Sequence, residues 1–124
     1  MSHEGTLTLS DRLDAAFAGV VADTMQALAT ASRVRILGQL HAGPRAVGDL
    51  AQAVGMGSSA VSHQLRILRH LGLVVGRREG RRVVYELHDE HVGQMLEEAI
   101  AHVEHLRIAA HGEPRAASDA PVVT

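Results

Sequence analysis

The period of the apolar residues changes twice along this chain, and those two changes constrain the fold more than any other feature. Up to Leu71 the apolar positions recur at helical spacing. From Leu73 to Leu87 they alternate, and from about Asp89 the helical spacing returns. Side chains repeat every 3.6 residues or so on a helix and every two on a strand, so no segment satisfies both patterns. The pattern predicts helices first, then a pair of strands, then one last helix.

Punctuation residues divide the first part. Ser10 is a reasonable N-cap for a helix reaching about Ala29, whose inward face is Leu13, Phe17, Val20, Val21 and Leu28. Ser32 opens a second helix with Val34, Leu37 and Leu40 inward, and Gly43-Pro44 stops it. A short third helix covers about Val47 to Val54. Gly55-Met56-Gly57 makes a tight turn, and Ser58 or Ser59 caps a fourth helix with Val61, Leu65, Leu68 and Leu71 as its buried stripe. Gly72 suits the left-handed position just past a helix end. Leu73–Arg78 and Arg82–Leu87 then flank Glu79-Gly80-Arg81, which predicts a β-hairpin with a basic tip. The last helix runs from about Asp89 to Ala110 on a stripe of Val92, Leu96, Ala99, Ile100, Val103 and Leu106. Residues 1–9 read as a mobile arm and 111–124, rich in Pro, Ala and Ser, as a disordered tail, leaving 10–110 as one domain.

Aromatic residues are only 2% of the chain, Phe17 and Tyr85, so the core is built from aliphatic side chains. A small aliphatic core is marginal alone, which favours burying further surface in a homodimer. The chain has no cysteine. Disulfides and thiolate metal sites are thereby excluded, and any metal must be held by imidazole, carboxylate or the chain terminus. No apolar run approaches the ~18 residues of a membrane span and no signal peptide is evident, so the expected location is the cytoplasm.

The net charge of −2 conceals a division. From Gly57 to His88 six arginines face Glu79 and Glu86, a net of +4; from Asp89 onward seven acids face Arg107 and Arg115, a net of −5. Local asymmetry of this kind is the footprint of a nucleic-acid binder. Helix, tight turn, helix and basic hairpin in that order is the layout of a winged helix-turn-helix: mainly α, four helices, a small hairpin and a fifth helix. The second helix of the pair fits a major groove about 12 Å wide. Its early residues Ser58, Ser59, Ser62, His63, Gln64 and Arg66 suit base edges and phosphates, and the wing offers Arg77, Arg78, Arg81 and Arg82 to the flanking backbone. Double-stranded operator DNA is the expected partner.

The run Ser62-His63-Gln64-Leu65-Arg66-Ile67-Leu68-Arg69, followed by Leu71-Gly72-Leu73-Val74 and the Arg-Glu-Gly-Arg hairpin, resembles the ArsR/SmtB family of metal-responsive repressors. Ala29-Thr30-Ala31-Ser32-Arg33-Val34-Arg35-Ile36-Leu37 matches that family's entry into its second helix. The resemblance covers about residues 12–108. It implies a homodimer that binds a palindromic operator and leaves it when metal binds.

Histidine is abundant, nine residues in all, and the last helix carries Asp89, His91, His102 and His105. At about 100° per residue, His91 and His102 face the same way, and His105 lies close to them in angle. Along the axis, however, the eleven residues from His91 to His102 span about 16 Å, whereas metal–ligand bonds are only about 2 Å. One straight helix cannot place all four groups on one ion. Two antiparallel copies can, each site taking Asp89 and His91 from one chain and His102 and His105 from the other, with two sites per dimer. One oxygen and three nitrogens suit Zn(II) or Co(II), and Ni(II) if further ligands join. The plain alternative is a solvated histidine face.

The same arrangement resembles the fifth-helix site of the family's zinc, nickel and cobalt sensors. With no cysteine on the third helix, the resemblance is closest to the nickel/cobalt branch, whose members add an N-terminal histidine. His3 is so placed here. With Met1 removed, the Ser2 amine and His3 would complete six coordination; with Met1 kept, a histidine in third place can chelate Ni(II) or Cu(II) itself. Arg107 stands where some of these sensors have a further histidine, and His111 is a partial substitute. His41, His70 and His88 read as surface or hinge residues, and Asp49 as a cap or a pairing group within the helix-turn-helix. Two other readings are a family member answering a non-metal signal with a vestigial site, and a small metal-dependent hydrolase. The second finds no His-Glu-x-x-His and no nucleophile set, so the chain is not expected to be an enzyme.

Overall fold

The structure, a computed structural model, describes residues 7–111. Its elements in chain order are α1 (Leu9–Arg12), α2 (Ala15–Ala27), α3 (Ala31–His41), β1 (Arg45–Ala46), α4 (Val47–Val54), α5 (Ser58–His70), β2 (Val74–Glu79), β3 (Arg82–Leu87) and α6 (Glu90–His111). The winged helix-turn-helix expected from the periodicity is present, with the change of period at Leu71–Leu73 falling between α5 and β2.

The core is aliphatic. Ile36 and Leu37 of α3, Leu50 of α4, Val61, Leu65 and Leu68 of α5, and Val74 of β2 are its fully buried members. Val92 and Leu96 anchor only the first half of α6 to it. Truncating a wholly buried leucine such as Leu65 to Ala in a core of this kind typically costs roughly 2–5 kcal/mol.

Several local expectations are corrected. The single first helix from Ser10 is broken in two. Thr8 and Asp11 form a capping box on α1, and Asp14 caps α2 by accepting from the Phe17 amide at 2.9 Å, so a second helix start competes with continuation. The face expected to be inward lies open in the single chain: Leu13, Phe17 and Val20 are all exposed, and only Ala27 of α2 is buried. Thr30, rather than Ser32, caps α3. Neither Ser58 nor Ser59 caps α5, whose N-cap is Gly57 with no side-chain bond to the first turn. The hairpin is the larger part of a three-stranded antiparallel sheet of order β1-β3-β2, with Arg45 opposite Tyr85 and Ala46 opposite Val84. A two-residue strand is too short to show alternation in sequence.

The helix-turn-helix and wing are set by their turns. Gly55 (φ 69°) ends α4 in the left-handed conformation. Gly72 (φ 75°) does the same after α5, and the Leu73 amide returns to the Leu68 carbonyl at 2.9 Å, as in a Schellman ending. That turn delivers the buried Leu73 directly into β2.

Candidate DNA interface and metal centre

On α5, burial of Val61, Leu65 and Leu68 turns the opposite face outward, and Ser58, Ser59, His63, Arg66 and Arg69 are exposed. Ser62 is half-buried at the edge of that face. Because no side chain caps the first turn of α5, its first amides remain available to an acceptor such as a phosphate. Gln64 differs from its neighbours. It is half-buried, and its Oε1 accepts from Arg33 Nε at 2.7 Å. Arg33 also donates from Nη1 to the Ala27 carbonyl at 3.3 Å, so one guanidinium joins the end of α2, the start of α3 and the middle of α5. Sequence reading missed this residue: its partner lies 31 positions away, beyond any local pattern.

The four wing arginines also divide. Arg77 is held by carboxylates on the wing itself, Nη1 by Glu86 and Nη2 by Glu79 at 3.1 Å. Its pKa is raised, first by the bond to Glu86 and then by that to Glu79. Arg82 leans back to Asp49 of α4 at 3.6 Å. Arg78 and Arg81 are exposed and make no ion pair among the described residues. Gly76 lets the Tyr85 ring on β3 lie against the strand: a Cβ there would come within 2.9 Å of that ring, which would have to shift.

Beyond the wing, Asp89 immediately precedes α6. Its Oδ1 accepts from the amides of His91 at 3.0 Å and Val92 at 3.3 Å, and its Oδ2 accepts from His88 Nδ1 at 3.0 Å. The bond from His88 does most to hold the Asp89 carboxyl below its ordinary pKa; desolvation opposes it, and the amides of Val92 and His91 add to the lowering. An ionised carboxylate beside an imidazole is the right chemistry for a divalent ion. The His91 ring lies 3.6 Å from Asp89 and is exposed, as are His102 and His105 further along α6. Among the described residues of one chain, no three His, Asp or Glu side chains come together as a metal cage. The donor types fit a transition metal, and the set is divided between two stations on one helix. His3 lies outside the described residues, as does the side chain of His111.

The second half of α6 leaves apolar side chains open, among them Ile100 and Val103. Ile100 and Val103 join Met25, Leu28 and Val34 around a groove of about 580 Å³. Nearer the start of α6, His41 Nε2 meets Glu97 at 3.1 Å, and its ring packs so closely on Gly93 that a Cβ there would lie 2.7 Å from it. The helix is thereby tied to the end of α3.

Comparison with known proteins gives one family match and four relatives or solved structures. The bacterial regulatory protein, arsR family, matches residues 30–75. The HTH-type transcriptional regulator NmtR of Mycobacterium tuberculosis is 60% identical over 110 residues, 87% of this chain and 92% of the relative. The solution structure of apo-NmtR superposes with a TM-score of 0.68 at 59% identity, covering 86% of this chain and 90% of that one. A cadmium resistance transcriptional regulatory protein CadC homolog of Staphylococcus aureus is 40% identical over 83 residues, 66% of this chain and 69% of the relative. A homodimeric winged helix-turn-helix DNA-binding domain from Mycobacterium bovis, a possible ArsR-family regulator, gives a TM-score of 0.69 at 33% identity and covers 91% of this chain and 99% of that one.

Proposed function

Since the chain belongs to the ArsR family of bacterial regulatory proteins, we propose that it is a dimeric transcriptional repressor released from its operator by Ni(II) or Co(II), with Zn(II) as the alternative ion. Residues 10–110 form the DNA-binding and dimerisation domain. The protein acts in the cytoplasm, where its DNA is, and it is not an enzyme. Ser58, Ser59, Ser62, His63 and Arg66 read the major groove, assisted by the amide group of Gln64, while Arg78 and Arg81 contact phosphate. Arg77 and Arg82 shape the wing and add charge near it.

The single observation that carries the metal reading is the division of donors along α6. Asp89 immediately precedes α6, His91 lies in its first turn and His102 and His105 stand in its second half, where Ile100, Val103 and Leu106 are exposed. Paired antiparallel across a two-fold axis, Asp89 and His91 of one protomer meet the partner's His102 and His105. The bound ion supplies a cross-link between the two α6 helices. His3 supplies a further nitrogen if the arm reaches the site. Drawing the C-terminal helices together changes the spacing of two reading heads that must match half-sites about 34–36 Å apart. Metal and DNA then oppose each other through one reciprocal coupling, typically about 1–3 kcal/mol.

The test is a fluorescence-anisotropy titration of DNA from the protein's own upstream region, with and without Ni(II), Co(II) or Zn(II). We expect metal to weaken binding by about 5–150-fold, the range of that coupling, and His102→Ala to remove the response while leaving apo binding intact. His3→Ala reports whether the arm contributes. Equal DNA affinity of the apo and metal-loaded protein would leave a DNA-binding regulator with a vestigial site.

A further inference from the structure

The strongest feature outside these assignments is His88, the residue just before Asp89. Its side chain and its backbone face two different parts of the molecule. Through Nδ1 it donates to Asp89 Oδ2 at 3.0 Å, because an ionised carboxylate can only accept. Through its backbone amide it donates to the Leu73 carbonyl at 3.0 Å. Leu73 is buried, and its own amide is bonded to the Leu68 carbonyl inside α5. The chain of bonds therefore runs from the carboxylate at the head of α6, through one residue, to the joint between recognition helix and wing.

We propose that His88 is a positioning residue that orients Asp89 toward metal and carries the metal state of that carboxylate to the α5–β2 joint. The inference rests on the metal-sensing reading above. Asp89 Oδ1 is engaged by the amides of His91 and Val92, so Oδ2 is the oxygen freer to turn toward an ion, and Oδ2 is the atom His88 holds. Any reorientation of Asp89 either draws the His88 ring with it or breaks that bond. In both cases the change arrives at a residue whose backbone is pinned to Leu73. Groups that orient a metal ligand in this way typically matter by about 10–100-fold in affinity. The proposal names a contiguous hydrogen-bonded route, and a route counts only when coupling through it is measured.

The experiment uses the full chain with His88→Ala, His88→Asn and Asp89→Ala. Asparagine places an amide N–H near the position of Nδ1 and is the rescue variant. Co(II) and Ni(II) salts are the probes, with affinity read by competition against a chromophoric chelator and operator affinity read by anisotropy at saturating metal. Circular dichroism monitors folding. We expect His88→Ala to keep apo DNA affinity, to lose about tenfold or more in metal affinity, and to shrink the metal-induced change in DNA affinity. His88→Asn should restore most of both. If His88→Ala keeps wild-type metal affinity and the full metal effect while Asp89→Ala loses them, the role of His88 is overturned and the sensor reading stands. If Asp89→Ala is also without effect, both fall. If Ala and Asn are equally impaired, the hydrogen bond is not the cause and the proposal fails.

Discussion

Asp89 serves the fold through one oxygen and offers a donor through the other. Oδ1 completes the first turn of α6, and Oδ2 is held by His88. The two roles separate in Asp89→Asn, since asparagine caps a helix about as well as aspartate but carries no charge to a metal. The variant should keep its helix content and apo DNA binding at neutral pH and lose its metal response. It should also change the acid limb of stability. The folded-state pKa of Asp89 is depressed. Its contribution is therefore complete above the unfolded value of about 3.9 and is lost as pH falls through the lower folded value. Urea midpoints followed downward from about pH 5 should fall less steeply for Asp89→Asn than for the parent chain. An equal slope would mean that the bonds to His88 and the α6 amides do not favour the ionised form. Arg33 shows the same economy, with one guanidinium bonded to Gln64 and to the end of α2.

At the scale of elements, the wing separates structural from free charge. Register sets Arg77 opposite Val84, and Val75 opposite Glu86, so Arg77 lies diagonal to Glu86 and engages it. Arg78, one position on, sits opposite Val83 and has no carboxylate partner among the described residues. Each phosphate neutralised contributes about 0.9 to the slope of log affinity against log salt. Arg78→Ala and Arg81→Ala should each lower that slope by about 1–2 in a dimer with two wings. Arg77→Ala should leave it nearly unchanged while loosening the hairpin. Anisotropy titrations between about 50 and 200 mM salt decide this, and a larger loss of slope for Arg77 than for Arg78 would overturn it. The hairpin and the helix-turn-helix were legible because a change of period and a glycine turn are local signals. The division among its arginines was not, since it depends on which cross-strand neighbour is acidic. The break at Leu13–Asp14 escaped for a related reason: a helical stripe continued across it, while Thr8, Asp11 and Asp14 offered two competing caps. The four donors proposed at α6 could be read from spacing, but among the described residues of one chain nothing brings Asp89 and His91 together with His102 and His105.

At the scale of the whole molecule, that last point becomes the deciding one. A single chain leaves Phe17 49%, Val20 59%, Ile100 50% and Val103 45% exposed. These residues lie on α2 and α6, the helices at the two ends of the domain. In the dimer proposed above a second copy would cover this apolar surface, and the divided donors proposed for metal make the same demand independently. The two demands can be tested together by complementation. One chain carries Asp89→Ala and His91→Ala, and the other carries His102→Ala and His105→Ala; each homodimer then lacks half of every shared site. In a mixed dimer, the first chain's His102 and His105 face the second chain's Asp89 and His91, so one site is whole and the other has no donors from these positions. Random 1:1 mixing makes half the dimers mixed with one site each, giving about a quarter of wild-type metal capacity in a two-site dimer. Equilibrium dialysis with Co(II) should find that fraction in the mixture and almost none in either variant alone. Sites built within one chain would gain nothing on mixing. Recovery of metal binding on mixing would thus establish that each site belongs to the dimer, because neither mutated chain holds a complete set of donors.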